Sequence, residues 1–248
     1  MKRIVLRMFT VIFVVFLLPA AASAAWWGLV VDRPGSWRQA DWGPSGVLDP
    51  WRGEDAAVAI LSARTGGFKG AFAVHSWIAV KRPGAKTFDR YDKVGWGNPV
   101  RRNAYPDDAR WYSNTPEIVA MVQGKEAEAL IGKVEAAIAA YPYSQRGGYT
   151  IYPGPNSNSF VQHVLWAVPE LGARLPSNAV GRDFLPGFAN WRIAPDVYDF
   201  EFTLGGLFGV SAGLRSGLEV HLGGLVAGID IARPGIKVPA FGDFHLVD

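Results

Sequence analysis

Two stretches decide how this chain folds: Ala73-Val74-His75-Ser76-Trp77-Ile78-Ala79-Val80-Lys81 and Gly154-Pro155-Asn156-Ser157-Asn158-Ser159-Phe160-Val161-Gln162-His163-Val164-Leu165. The first sets a histidine among alternating apolar residues, the pattern of a covered strand. The second opens on small polar residues that favour helix N-caps. Phe160, Val161, Val164 and Leu165 then follow at the spacing of a core-facing helical stripe. Strands before helices within one body imply an α+β fold.

Outward from the histidine strand, the apolar runs Ala56–Ala63 and Phe72–Lys81 flank Thr65–Gly70, a hairpin signal. Pro83-Gly84 marks a turn before a third strand, Thr87–Val94, and Asn98–Ser113 is polar and loop-like. Glu117–Gln123 reads as a strand stopped by Gly124. From Lys125 to Tyr141, the residues Ala127, Leu130, Ile131, Val134, Ala137, Ile138 and Tyr141 share one helical face, and Pro142 ends the helix. The second helix runs from the Asn156–Ser159 cluster to Val168. Gly205, Gly209, Gly213 and Gly217 imitate a membrane helix-packing series, but Arg215 and Glu219 close the apolar stretch within about 13 residues, too few for a span. Leu218, Val220 and Leu222 alternate with Glu219 and His221, so the region from about residue 200 is expected to be a Gly-rich β-hairpin or meander.

Residues 1–24 read as an export signal: Lys2, Arg3 and Arg7, an apolar run from Met8 to Leu18, then Pro19 and a small-residue segment that places cleavage after Ala24. An uncleaved anchor is the alternative, because apolar residues continue to Val31. Either reading puts the body outside the cytoplasm, periplasmic or secreted in a bacterium, with inner-membrane anchoring as the variant. The three N-terminal cations supply the whole formal excess of +3, so the remaining chain is neutral and gives no argument for nucleic-acid binding. Residues 25–55 form a Trp- and Pro-rich arm, with Trp37, Trp42 and Trp51 placed to pin it to the body. Residues 56–248 are then expected to form a single α+β domain.

Cysteine is absent, which removes disulfides, thiolate metal sites and a cysteine nucleophile. The four histidines, 75, 163, 221 and 245, show no i,i+4 pairing, so neither a metal nor any other cofactor is expected. What remains is a strand histidine and a helix start, where backbone N–H groups and the helix dipole favour a developing anion. In that arrangement Ser157 would be the nucleophile and His75 its base, oriented by Asp92 or Tyr91, with Asp89 a further candidate. Trp77, Asn156, Asn158 and Ser159 would line the substrate side. The competing reading makes one of Asn156, Ser157, Asn158 or Ser159 a helix cap and His75 a structural histidine.

The helix segment resembles the Cys-bearing motif of NlpC-type cell-wall peptidases: Ser157 falls where the motif has Cys, Phe160-Val161 match its apolar pair and Gln162 matches directly. Because the His75 strand comes first, the order is similar to the circularly permuted branch of these papain-like hydrolases, which includes lecithin–retinol acyltransferase-like proteins. The His75-Ser76-Trp77 strand, the Gly154–Asn158 helix start and the Gly-rich end also resemble an uncharacterised bacterial family with a domain of unknown function. The resemblance implies a permuted papain-like core with Ser in place of the catalytic Cys. It also implies a non-classical or inactive relative of envelope amidases that binds a peptide, acyl or glycan component. The alternative function is a structural or membrane-surface binding protein without catalysis. Whether the chain is an enzyme, and its oligomeric state, stay open.

Overall fold

A computed structural model describes residues 2–194 and 198–246; Met1, at the head of the expected export signal, lies outside them, as do residues 195–197 and 247–248. The helices are α1 (Lys2–Leu29, with a π-turn at Phe13–Leu17), α2 (Gly124–Ala139) and α3 (Ser157–Ala167). The chain forms two compact units. One comprises Arg33–Gly67 and Val74–Leu175; the other comprises Met1–Asp32, Phe68–Ala73 and Pro176–Asp248. They are called the core unit and the meander unit below.

The core unit holds a five-stranded sheet of β1 (Ala57–Arg64), β2 (Val74–Lys81), β3 (Asp89–Lys93), β4 (Val100–Arg102) and β5 (Glu117–Gln123). The order is β4-β3-β2-β1-β5 and every neighbour is antiparallel. The segment expected to be loop, Asn98–Ser113, contains the short edge strand β4; three residues carry too little periodicity to be read in advance. Side chains alternate across the sheet. On one face Ala57, Ala59, Leu61, Ala63, Trp77 and Ala79 meet Phe88, Val94 and Trp111, with Leu48, Trp42 and Trp51 of the Trp-rich arm packed among them. The small alanines leave room for this aromatic layer. The opposite face takes the helices: α2 buries Ala127, Leu130, Ile131, Val134, Ala137 and Ile138 and packs on β1 and β5, while α3 packs on β2 and α2.

The meander unit carries β6 (Ala189–Ala194), β7 (Asp199–Leu204), β8 (Phe208–Gly213), β9 (Gly217–Leu222), β10 (Leu225–Asp230), β11 (Gly235–Val238) and β12 (Gly242–His245), an antiparallel sheet in strict sequence order. A C-terminal meander is therefore present, and it starts at Ala189, before the region marked by the closely spaced glycines. Gly205-Gly206 and Gly223-Gly224 all have positive φ and make tight turns that favour glycine. The register sorts the two faces cleanly. One cross-strand row is Trp191, Phe202, Val210, Val220 and Ala227; the next on that face is Ile193, Phe200, Ala212, Leu218, Ile229, Ile236 and Phe244. The row between them, on the other face, is Arg192, Glu201, Ser211, Glu219, Gly228, Lys237 and Asp243.

The polar face is the buried one. Arg182 donates twice to Glu219 at 2.9 Å, and Lys237 Nζ donates to Glu219 Oε1 at 2.6 Å and to the Ser216 carbonyl at 2.7 Å. His221 bridges Asp183 (Nδ1 to Oδ2, 2.7 Å) and Glu219 (Nε2 to Oε2, 3.0 Å), with Ser211 Oγ at 3.3 Å. α1 belongs to this unit too. It is long and apolar enough to cross a membrane, which suits either a signal sequence or an anchor.

Candidate functional site

His75 sits on β2, only 4% exposed. Alternation places its side chain on the face of Trp77 and Ala79, and the pairing Ala79↔Arg90 brings Arg90 and Asp92 of β3 to that same face. Its Nε2 stands 3.5 Å from Asp92 Oδ2. Asp92 Oδ2 also accepts from Arg90 at 3.0 Å, and Arg90 donates to the Pro106 carbonyl while its guanidinium lies 4.0 Å over Trp77. Of the three groups considered as a third partner, Asp92 is the one beside His75, while Asp89 accepts from Arg102 and Asn103. Tyr91 turns to the helical face, its hydroxyl donating to Glu135 of α2 at 3.5 Å.

Burial is the dominant influence on His75 and pulls its pKa below the usual range, reinforced by Arg90 and opposed by Asp92. The imidazole is therefore neutral at pH 7. Burial alone would raise Asp92, but His75 and Arg90 outweigh it and hold the carboxyl below its ordinary value. Arg90 is itself lowered by burial and stays charged. Four buried polar atoms of this cluster, His75 Nε2, Arg90 Nε, Asp92 Oδ1 and Trp111 Nε1, make no hydrogen bond among the described residues.

Ser157 is placed differently. Asn156 is the N-cap of α3: its Oδ1 accepts from Asn158 N (2.9 Å) and Ser159 N (3.1 Å), and Ser159 Oγ accepts in return from Asn156 N (2.7 Å). This reciprocal box fixes the helix start and leaves Ser157 at the first helical position. Asn158 Nδ2 donates to the Val74 carbonyl at 3.0 Å, tying the helix start to the strand of His75. The side chains nonetheless diverge. Lys93, next to Asp92 on β3, points to the other face, donates to the Tyr143 carbonyl and lies over Tyr141, whose ring meets Phe160 of α3. α3 thus packs on the face opposite His75, and no hydrogen bond joins Ser157 to His75 among the described residues.

The substrate-side residues are committed elsewhere. Asn156, Asn158 and Ser159 serve the cap and the strand tie, and Trp77 is fully buried with its indole N–H donating to the Asp107 carbonyl at 2.9 Å. Among the described residues no cluster of three or more His, Asp or Glu side chains could hold a metal ion.

A concave feature of this unit lies on the His75 face. Trp37, Trp42, Trp96, Tyr105 and Tyr112 line a hollow of about 490 Å³. Trp111 backs it, edge-on to Trp42 at 5.1 Å and to Tyr105 at 5.3 Å, and stacked on His75 at 3.7 Å on its other side. Trp37 and Trp96 are open to solvent at 56% and 48% exposure, and each has an arginine over its ring, Arg38 at 4.7 Å and Arg101 at 5.7 Å. Sequence reasoning read Trp37 and Trp42 as packing for the arm and left Trp96, Tyr105, Trp111 and Tyr112 unassigned. The usable signal was aromatic density in a segment without periodicity.

Residues 55–184, just over half the chain, match the family described as Protein of unknown function (DUF3750). The chain belongs to the DUF3750 family. The DUF3750 match takes in the His75 strand, Asp92, Trp96, Trp111 and the start of α3, and it stops before β6. Trp37 and Trp42 precede it, so the hollow of this DUF3750 protein is completed by its own N-terminal arm. No curated protein and no solved structure matches the chain.

Proposed function

We propose that this is an exported, membrane-attached envelope protein whose core unit binds a glycan chain in the aromatic hollow without hydrolysing it. The observation that carries the reading is the ring of Trp37, Trp42, Trp96, Tyr105 and Tyr112 around about 490 Å³. That volume suits one or two sugar rings. Flat indole and phenol faces complement the C–H faces of pyranose rings, and Arg38 and Arg101, which lie over the Trp37 and Trp96 rings, bring further donors for hydroxyl, acetamido or carboxylate oxygens beside those Arg101 already gives to the Trp96 and Asn98 carbonyls. The same two guanidiniums disfavour a cationic ligand. Descent from permuted papain-like hydrolases belongs to this reading, as an inactive relative. His75 and Asp92 on adjacent strands and a capped helix opening at Ser157 support the ancestry. The divergent faces of His75 and Ser157 support loss of the chemistry.

The test is titration of the full chain in detergent micelles with chitotetraose and with a disaccharide–tetrapeptide fragment of peptidoglycan, followed by tryptophan fluorescence. Saturable binding that weakens at least about tenfold in both Trp37→Ala and Trp96→Ala, a loss near 1.4 kcal/mol, supports the reading. Absence of saturable binding, indifference to both substitutions, or preference for octanoate over either glycan overturns it.

A further inference from the structure

The meander is built inside out. Its buried face carries Glu219, His221 and Lys237, and its outward rows, from Trp191 at one edge to Phe244 at the other, contain no polar side chain. Trp191 is 65% exposed and Phe244 50%. A water-facing antiparallel sheet shows the reverse sorting, and contiguous apolar patches of this breadth mark contact with something apolar. Apolar-outward, polar-inward alternation is the pattern of strands whose outer medium is lipid.

A second, independent observation identifies that medium. α1 is a membrane-grade helix and belongs to the same compact unit. It is fitted to the unit: Phe16, Ala20, Ser23 and Trp27 are buried along one side, Ser23 Oγ donates to the Ala71 carbonyl at 2.5 Å, Trp26 meets Phe241, and β10 packs on the Phe13–Leu17 turn. A segment cut away after Ala24 would have no use for this fit. We infer that α1 is retained and that the outward face of the β6–β12 meander lies against lipid hydrocarbon beside it. Strands of four to six residues are shorter than the roughly nine to eleven needed to cross a bilayer, and among the described residues no further strand pairs with the edges β6 and β12. The sheet therefore dips into the membrane and does not span it. The inference is independent of what the core unit's hollow binds.

The chain has no cysteine, so single labels can be placed without removing any native residue. Full-length Leu218→Cys, Val220→Cys and Ile229→Cys, each carrying an environment-sensitive fluorophore, would be reconstituted in phosphatidylcholine–phosphatidylglycerol vesicles, with Lys86→Cys in the core unit as the aqueous reference. The expected result is at least fivefold stronger quenching by doxyl-labelled acyl chains at the three sheet positions than at Lys86, with matching protection from iodide. Iodide quenching equal to that at Lys86 overturns the inference. So does protection accompanied by cysteine cross-linking between copies and no acyl-chain quenching, which would place a second copy on this face. Should the variants fail to fold, the unsubstituted chain can be photolabelled with a diazirine-bearing phospholipid: adducts within 200–230 as well as in α1 support the inference, and adducts confined to α1 overturn it.

Discussion

Trp111 lies flat against His75, with ring centroids 3.7 Å apart and planes 6° from parallel. One indole thus seals the imidazole on one side and backs the aromatic hollow on the other. Trp111→Ala is expected to lower stability by about 3–5 kcal/mol, the usual cost of emptying a large buried aromatic site. Trp111→Phe keeps much of the packing but covers less of the imidazole. Thermal melts would give the first value. Diethyl pyrocarbonate modification of His75, followed by mass spectrometry, should be slow in the wild type and clearly faster in Trp111→Phe.

The helix start separates two residues that sequence alone left interchangeable. Asn156 carries the capping bonds, so Asn156→Ala should cost about 0.5–2 kcal/mol. Ser157 makes none of them, and Ser157→Ala should stay within about 0.5 kcal/mol of wild type. Urea titrations of the two variants measure the difference. A fluorophosphonate probe is expected to leave Ser157 unlabelled, because no hydrogen bond joins it to His75 among the described residues; stoichiometric labelling would contradict this expectation.

The two buried histidines should respond to pH in opposite directions. His75 has its folded-state pKa lowered, burial and Arg90 outweighing Asp92. Between that value and about 6.5 the unfolded chain binds a proton that the folded core unit does not, so stability falls as the pH drops below about 6.5. For His221 burial also acts downward, but hydrogen bonds to Asp183 and Glu219 overcome it and raise the folded value. Its contribution is complete below about 6.5 and is lost as the pH rises through the raised value. Hydrogen–deuterium exchange of β2–β3 and β8–β9 peptides, corrected for intrinsic rates, should show these opposite slopes, and His75→Gln and His221→Gln should each flatten one.

Much of the fold was legible because it follows from period. The strands β1, β2, β3 and β5 and both core-unit helices announce themselves through alternation or through stripes such as Ala127–Leu130–Val134. The alternation of Leu218, Val220 and Leu222 with Glu219 and His221 also marked β9 as a strand. It could not say which face was buried, since the ordinary assumption of apolar residues inside is the one this sheet reverses. The site was less legible for a related reason. Strand parity decides whether His75 looks toward α3 or away from it, and parity relative to a helix distant in sequence is a property of packing, not of either segment. Trp96 and Trp111 were invisible as a pair because nothing periodic links them; only the fold brings them within 6.5 Å.

Arg90 and Asp92 test how the core unit tolerates charge beneath its aromatic layer. Both are buried, and each meets the other at 3.0 Å. Asp92→Ala leaves Arg90 buried without its counter-charge and should cost about 3–5 kcal/mol, and Arg90→Ala a similar amount. Arg90→Lys should rescue little, because an ammonium cannot both reach Asp92 and the Pro106 carbonyl and lie flat on Trp77. The double variant Arg90→Ala/Asp92→Ala removes both charges together and leaves neither buried without its counter-charge, so its loss should be well below the sum of the two alanine losses. Urea unfolding of the four proteins closes the cycle. If the double loss equals the sum, the two residues act independently, and the pair does not serve to hold His75 in its neutral, stacked position.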